Sequence, residues 1–478
     1  MYSMHDFVPV IPEMFLFGMA CVILLVDLFL TEDTRNWTYS LSLGTVIGTG
    51  WLVFRMFGQP DTVTFGGMFI ADGLAHLLKL AACVTTAVVF IYSRDYLKIR
   101  NLLKGEFFVI GLLALLGMMI IMSAHNFITV YLGLELLSLS LYTLVAMDRD
   151  APVASEAAMK YFVLGAIASG LLLYGMSILY GLTGTLDVAE TASVLRNLDH
   201  DNLALVLGIT FIVAGLAFKL GAVPFHMWLP DVYHGAPTAI TLFVGSAPKL
   251  AAFALFIRML VDPLSAAQVQ WQEMLIALAV LSMAIGSIVA IAQTNIKRML
   301  AYSAISHVGF ILLGILAGSP EGYQSALFYT LTYVLMATAG FGMIILLSRE
   351  GFEADKLDDF RGLNDRSPWF AAMMSFVMFG MAGVPPFVGF YAKLSVLWAV
   401  IAAGYTWLAV AAVLFAVISA YYYLRVVKLM YFDSVEKSAQ IEAPGDIRAV
   451  LSINGLALLA LGIFPGSLMA ICARVMGL

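Results

Sequence analysis

Charge is scarce in this 478-residue chain: Asp, Glu, Lys and Arg make up 12% of it, against 62% hydrophobic residues. That balance excludes a soluble globular reading, and no polar stretch is long enough to form a separate soluble domain. The three cysteines, Cys21, Cys83 and Cys472, stand isolated in apolar segments, which suggests packing residues and neither a disulfide framework nor a metal site. A Gly-rich phosphate loop, an H-E-x-x-H helix and a paired C-x-x-C are missing, as is a basic soluble surface for nucleic acid. Nothing here binds NADH, flavin, an iron–sulfur cluster or a metal on its own. The N-terminus has no basic region or small-residue cleavage site before its first apolar run, so that run reads as a retained helix.

What is present is one apolar run after another. At roughly 20 residues per crossing they make about fourteen transmembrane helices. The expected spans are 8–30, 38–57, 70–92, 106–123, 125–147, 156–181, 203–234, 238–260, 272–292, 297–317, 323–348, 368–400, 405–431 and 448–474. Backbone groups cannot go unpaired in lipid, so these are helices and the fold class is all-α and polytopic. Arg35, Arg94, Lys98, Arg100, Lys104, Arg149, Lys297, Arg298, Arg349, Lys356, Arg361, Arg366, Arg425, Lys428, Lys437 and Arg448 fall on one side; the other holds Arg55, Arg196, Arg258 and Arg474. Positive residues mark the inner side, which places both termini outside. Between spans, 187–202 is a polar outer loop and 349–367 (REGFEADKLDDFRGLNDRS) a charged inner one, read as solvated or as docking to a neighbour.

The spans 203–234 and 368–400 are too long for one crossing, and each is interrupted, by Gly221-Ala-Val-Pro224 and Gly383-Val-Pro-Pro386. Proline removes a helical hydrogen bond and clashes with the preceding turn, so helices 7 and 12 are expected to be discontinuous. An odd helix offset between the breaks makes helices 4–8 and 9–13 two inverted five-helix repeats, a transporter architecture that handles ions where helices break. The chain divides accordingly into 1–105, an N-terminal three-helix segment; 106–260 and 272–431, the two repeats; and 432–478, a loop and the last helix.

Ionisable residues at bilayer depth are costly and usually functional. Glu135 lies midway along the fifth span (YLGLELLSLSLY), Lys219 just before the first break, Lys249 at the centre of the eighth span, and Lys393 two turns after the second break. Burial disfavours the charged form of any titratable group, which is what lets such a group trade protons; the alternative is a structural ion pair. Glu156 and Lys160 have the i, i+4 spacing of a helix-face pair, a surface pair or a modulator of a buried lysine. His226, His234 and His307 are potential relays, His307 foremost because it sits mid-span. His76 and Lys79 share a face of the third span, as relay members or as lipid-facing snorkelers.

The segments VPFHMWLPDVYHGAPT, QTNIKRMLAYSAISHVGF and DDFRGL, with Glu135, Lys219, Lys249 and Lys393 at mid-membrane, resemble the antiporter-like subunits of respiratory complex I, relatives of Mrp-type sodium/proton antiporters. The resemblance covers essentially the whole chain. Ending at residue 478 sets it apart from the member with a long extra lateral helix, and Lys393 from the member with a glutamate there. The family implies a proton-moving subunit of a bacterial NADH:quinone oxidoreductase in the inner membrane. It also implies neighbouring membrane-arm subunits and lipid as partners, and FMN, iron–sulfur clusters and quinone held elsewhere in the complex. By the same resemblance Glu135 pairs with Lys219, Lys249 is the central lysine, and Lys393 leads outward. An Mrp-type Na⁺/H⁺ antiporter subunit is the alternative, and a scaffold that has lost transport a third.

Overall fold

The computed structural model describes residues 4–31, 34–198, 202–434, 441 and 444–478. Part of the expected 187–202 loop, and most of the loop that opens the 432–478 segment, lie outside the described residues. Among the described residues, twelve helices are long and apolar enough to cross a membrane. Two expected spans fall outside that set. Asn36–Met56 is helical but rich in hydroxyls: Thr45 donates to the Leu41 carbonyl and Thr49 to the Thr45 carbonyl, both at 2.8 Å, and Thr38 donates to Asp27 Oδ1 at 2.5 Å. The 368–400 span is two helices, Pro368–Ala382 and Val388–Ala402, each 15 residues long.

Two compact units emerge, and neither is a continuous piece of chain. The first comprises Met1–Phe90, Leu102–Leu220 and Ala247–Met274. Here helices pack through glycine, which lets backbones touch. Between Gly105–Met122 and Phe127–Val145, a β-carbon on Gly117 would lie 2.6 Å from the Leu137 nitrogen. Between Pro152–Thr183 and Leu203–Leu220, one on Gly175 would lie 2.7 Å from the Gly208 carbonyl oxygen. A short antiparallel pair, Thr62–Thr64 with Phe69–Ala71, was not legible from composition; Thr62 stands opposite Ala71. The expected outer loop contains a helix, Val188–Leu195, capped by Asp187, which accepts from the Glu190 nitrogen at 3.0 Å.

The second unit comprises Ile91–Asn101, Gly221–Ser246 and Leu275–Leu478. Its centre is the pair Ile296–Leu316 and Pro320–Leu347, buried around nearly their whole circumference, as helices apolar on every face must be. The 349–367 stretch is anchored more firmly than a solvated loop. Glu353 receives the Arg100 guanidinium, the Thr238 hydroxyl and, at 3.0 Å, the Tyr96 hydroxyl, while Arg100 also donates to the Phe352 carbonyl at 2.8 Å.

Both expected breaks are present. The Leu203–Leu220 helix stops at Gly221, with φ +85°, and Pro368–Ala382 stops at Gly383, also with φ +85°. Glycine ends helices in this left-handed conformation without a Cβ clash. The Val223–Pro224 and Pro385–Pro386 peptide bonds are cis. Two further interruptions differ from the expected continuous spans. Thr238–Gly245 ends at Ser246 and resumes as Ala247–Phe256, followed by a π-helical turn, Ile257–Val261. The cause is Pro248, which has no N–H for a carbonyl of the preceding turn; Ser246 turns its hydroxyl to the Leu242 carbonyl at 2.6 Å. The last span closes at Ile463, because Pro465 disfavours helix in the residue before it, and Gly466–Val475 forms a separate helix.

Glycine also seals the second break. A β-carbon on Gly389 would overlap the Gly380 carbonyl oxygen, and one on Gly462 the Pro386 carbonyl oxygen. Gly389→Ala should therefore destabilise the fold by about 1–3 kcal/mol. Gly44→Ala, in the Asn36–Met56 helix with nothing within 4 Å, should be neutral or slightly stabilising. Melting temperatures of the two detergent-solubilised variants, compared directly, check this ordering.

Candidate functional site

In the first unit, Glu135 and Ser138 lie one turn apart on the Phe127–Val145 helix. Lys219, the penultimate residue of Leu203–Leu220, donates from Nζ to Ser138 Oγ at 2.7 Å. Ser138 in turn donates to the Leu134 carbonyl at 2.6 Å, so the hydroxyl is oriented with its lone pairs toward the ammonium. The Tyr142 ring stands 5.9 Å from the same nitrogen. The expected Glu135–Lys219 pairing thus takes an indirect form: the carboxylate is within electrostatic reach of the lysine, but the direct partner is a serine. Glu135 Oε1 is buried and has no hydrogen-bond partner among the described residues.

Lys249, 2% exposed, donates from Nζ to the Leu220 carbonyl at 2.6 Å. Leu220 is the last residue before the Gly221 break, so this carbonyl has lost its place in the helical ladder. A cation is also favoured there by the helix dipole.

The second unit repeats the arrangement. Lys393, 7% exposed, donates to the Met381 and Ala382 carbonyls at 3.0 and 2.9 Å, the last two residues before Gly383. Its stem runs past that glycine: a β-carbon on Gly383 would lie 2.9 Å from Lys393 Cδ. The Phe310 ring lies 5.2 Å from the ammonium. His307 is buried between two tyrosines, Nδ1 2.7 Å from the Tyr329 hydroxyl and Nε2 3.0 Å from the Tyr423 hydroxyl, and Tyr423 is hydrogen-bonded to Ser303. A neutral imidazole has one donor and one acceptor nitrogen, so this hydroxyl–imidazole–hydroxyl chain can pass a proton by switching tautomer.

Other expected residues take different places. Glu156 and Lys160 form an ion pair of 2.8 Å, at 66% and 44% side-chain exposure within this chain. His226 is half-buried in the turn between the Leu203–Leu220 and Trp228–Gly235 helices, and His234 lies near the end of the latter. Lys297, expected on the inner face, is 4% exposed and donates to the Ala236 carbonyl at 2.9 Å. Arg258, expected among outer basic residues, is buried with Asp72, Asp262 and the Met122 carbonyl as partners. Lys79 is 1% exposed and paired with Glu13 at 2.5 Å, which excludes the lipid-facing reading within this chain. Ser138, Tyr329, Tyr423 and Glu13 were missed by sequence reasoning; only Ser138 carried a signal, its one-turn spacing from Glu135. Among the described residues no cluster of His, Cys, Asp or Glu could hold a metal ion.

A helical membrane protein with two glycine-terminated helix breaks, each with a buried lysine on the freed carbonyls, defines an ion-translocating class. The chain belongs to the NADH:quinone oxidoreductase/Mrp antiporter family, whose transmembrane profile matches residues 124–419. Curated relatives include NADH-quinone oxidoreductase subunit N of Thioalkalivibrio sulfidiphilus, 60% identical over 98% of each chain. That of Thiobacillus denitrificans is 60% identical over 99% of this chain and 98% of its own. Among solved structures, a chain of respiratory complex I from Thermus thermophilus superposes with TM-score 0.83 at 29% identity, covering 97% of this chain and 99% of that one. A chain of the Mrp complex from Dietzia shares the fold, with TM-score 0.84 at 18% identity over 99% and 97% of the two chains.

Ser138→Ala removes the oxygen on which Lys219 rests, a hydrogen bond to a charged group worth about 1.5–3 kcal/mol. Proton pumping by membrane vesicles carrying the variant complex should fall, and Ser138→Thr, which keeps the hydroxyl, should retain it.

Proposed function

We propose that this chain is a proton-translocating membrane-arm subunit of NADH:quinone oxidoreductase, part of that enzyme without a redox centre of its own. It carries protons from the cytoplasm outward across the bacterial inner membrane, with both termini on the outer side. FMN, the iron–sulfur clusters and quinone belong to other subunits, and neighbouring membrane-arm subunits and lipid are its partners. In this reading the chain crosses the membrane about fourteen times, and helices 4–8 and 9–13 are inverted repeats.

The observation that carries the proposal is that Lys249 and Lys393 each rest on carbonyls released where a helix ends at a glycine. Such oxygens hold an ammonium in place of water, and they still accept from the amine once the proton has left. Lys219, under the influence of Glu135, loads a proton; Lys249 takes it, and Lys393, with His307 and its tyrosines, leads it outward. Moving one charge against 100 mV costs ~2.3 kcal/mol, so energy must arrive through the complex, for instance as a neighbour's charge that alters the field at Glu135. Identity of about 60% with subunit N relatives along nearly the whole chain favours this reading over an Mrp-type Na⁺/H⁺ antiporter.

Lys249→Ala in the assembled complex should depress proton pumping together with quinone reduction. Wild-type values for both would eliminate the central relay. Gentle detergent extraction should copurify flavin- and iron–sulfur-containing subunits with this chain; their consistent absence would favour the antiporter.

A further inference from the structure

The first unit contains a second buried acid–base group that the relay leaves unused. Glu13, in the first turn of Ile11–Asp27, is 5% exposed, and its Oε1 lies 2.5 Å from the ammonium of Lys79, itself 1% exposed. Lys79 belongs to Gly73–Ile99, on the same face as Asp72, His76 and Cys83, spaced by single turns. Asp72 is committed to Arg258, at 2.7 and 2.8 Å, and to the Ala75 nitrogen. His76, between Asp72 and Lys79 on that face, is 4% exposed, and its Nδ1 has no hydrogen-bond partner among the described residues. The Phe69 ring completes the surroundings, 4.8 Å from Lys79 Nζ.

Stability does not explain this group. Removing two charges from water is expensive, and a buried pair replaced by apolar residues of similar volume is often neutral or stabilising. A buried imidazole nitrogen without a partner adds a further cost. Ionisable groups kept at such expense inside a membrane protein are functional by default. The cluster also has the parts that reversible protonation needs: an acid and a base in direct contact, and a titratable imidazole one turn away.

We propose that Glu13, Lys79 and His76 form a proton-binding site of the N-terminal segment, separate from the Glu135–Lys219–Lys249–Lys393 set and loaded and emptied during turnover; this rests on the proton-translocating reading above. The step starts from the Lys79 ammonium and the Glu13 carboxylate. A proton arriving through His76 converts the Glu13 carboxylate to the carboxylic acid, leaving Lys79 charged, and its return through His76 restores the pair. One proton is bound and one released, with no other bond changed.

The test uses the whole complex in membrane vesicles, with Glu13→Gln/Lys79→Met and, separately, His76→Leu. Flavin content reports assembly, and protons moved per NADH oxidised report function. A purely structural pair is relieved by joint neutralisation, so a double variant that assembles with wild-type proton yield overturns the proposal. One that assembles and oxidises NADH with a reduced yield supports it. Should the double variant fail to assemble, His76→Leu decides, because it leaves the Glu13–Lys79 pair intact: a reduced yield supports the site and a wild-type yield overturns it. Lys249→Ala in parallel separates the two ideas, since wild-type pumping there removes the relay reading, whereas failure of the Glu13 site leaves it standing.

Discussion

Backbone carbonyls cannot be left unpaired in a medium without water, and the functional architecture of this chain follows from where that rule is strained. A continuous helix satisfies its carbonyls internally; a helix ended by glycine in mid-chain releases its last ones. At Leu220 and at Met381–Ala382 the released oxygens accept from lysine ammonium groups. A broken helix gains a cap and a buried lysine gains ligands, so two features that would each be unfavourable alone are mutually stabilising.

The two units use different chemistry around this shared device. In the first, Lys219 rests on the Ser138 hydroxyl, with Glu135 one turn away and without a hydrogen-bonded partner for Oε1 among the described residues. In the second, His307 is held at both ring nitrogens by tyrosine hydroxyls, an arrangement that holds the ring firmly while leaving the proton free to change places.

The helix breaks were legible in the sequence because their causes are local: Gly221, Pro224, Gly383 and Pro386 impose them whatever surrounds them. The burial of Lys249 and Lys393 was legible for the same reason, through the apolar residues on either side. The interruption at Ser246 and the early end at Ile463 were equally local, caused by Pro248 and Pro465, but a continuous apolar run masked both. Partnerships were hidden, because contact between residues far apart in the chain leaves no mark on either segment. Glu13 and Lys79 meet across two helices separated by a third, and Ser138, though one turn from Glu135, shares its helix with other hydroxyls. Lys79 could be read as a lipid-facing snorkeler until its burial was known.

Gly383 has two tasks: it adopts the left-handed turn, and by lacking a side chain it leaves room for the Lys393 stem. Helix stop and buried lysine are therefore one portable part. A lysine grafted into an unbroken helix would find no free oxygens to rest on, and a side chain grown at the helix stop would displace the lysine it serves. An engineer moving this half-site into another bundle would have to transplant the segment from Gly380 to Lys393 as a single cassette.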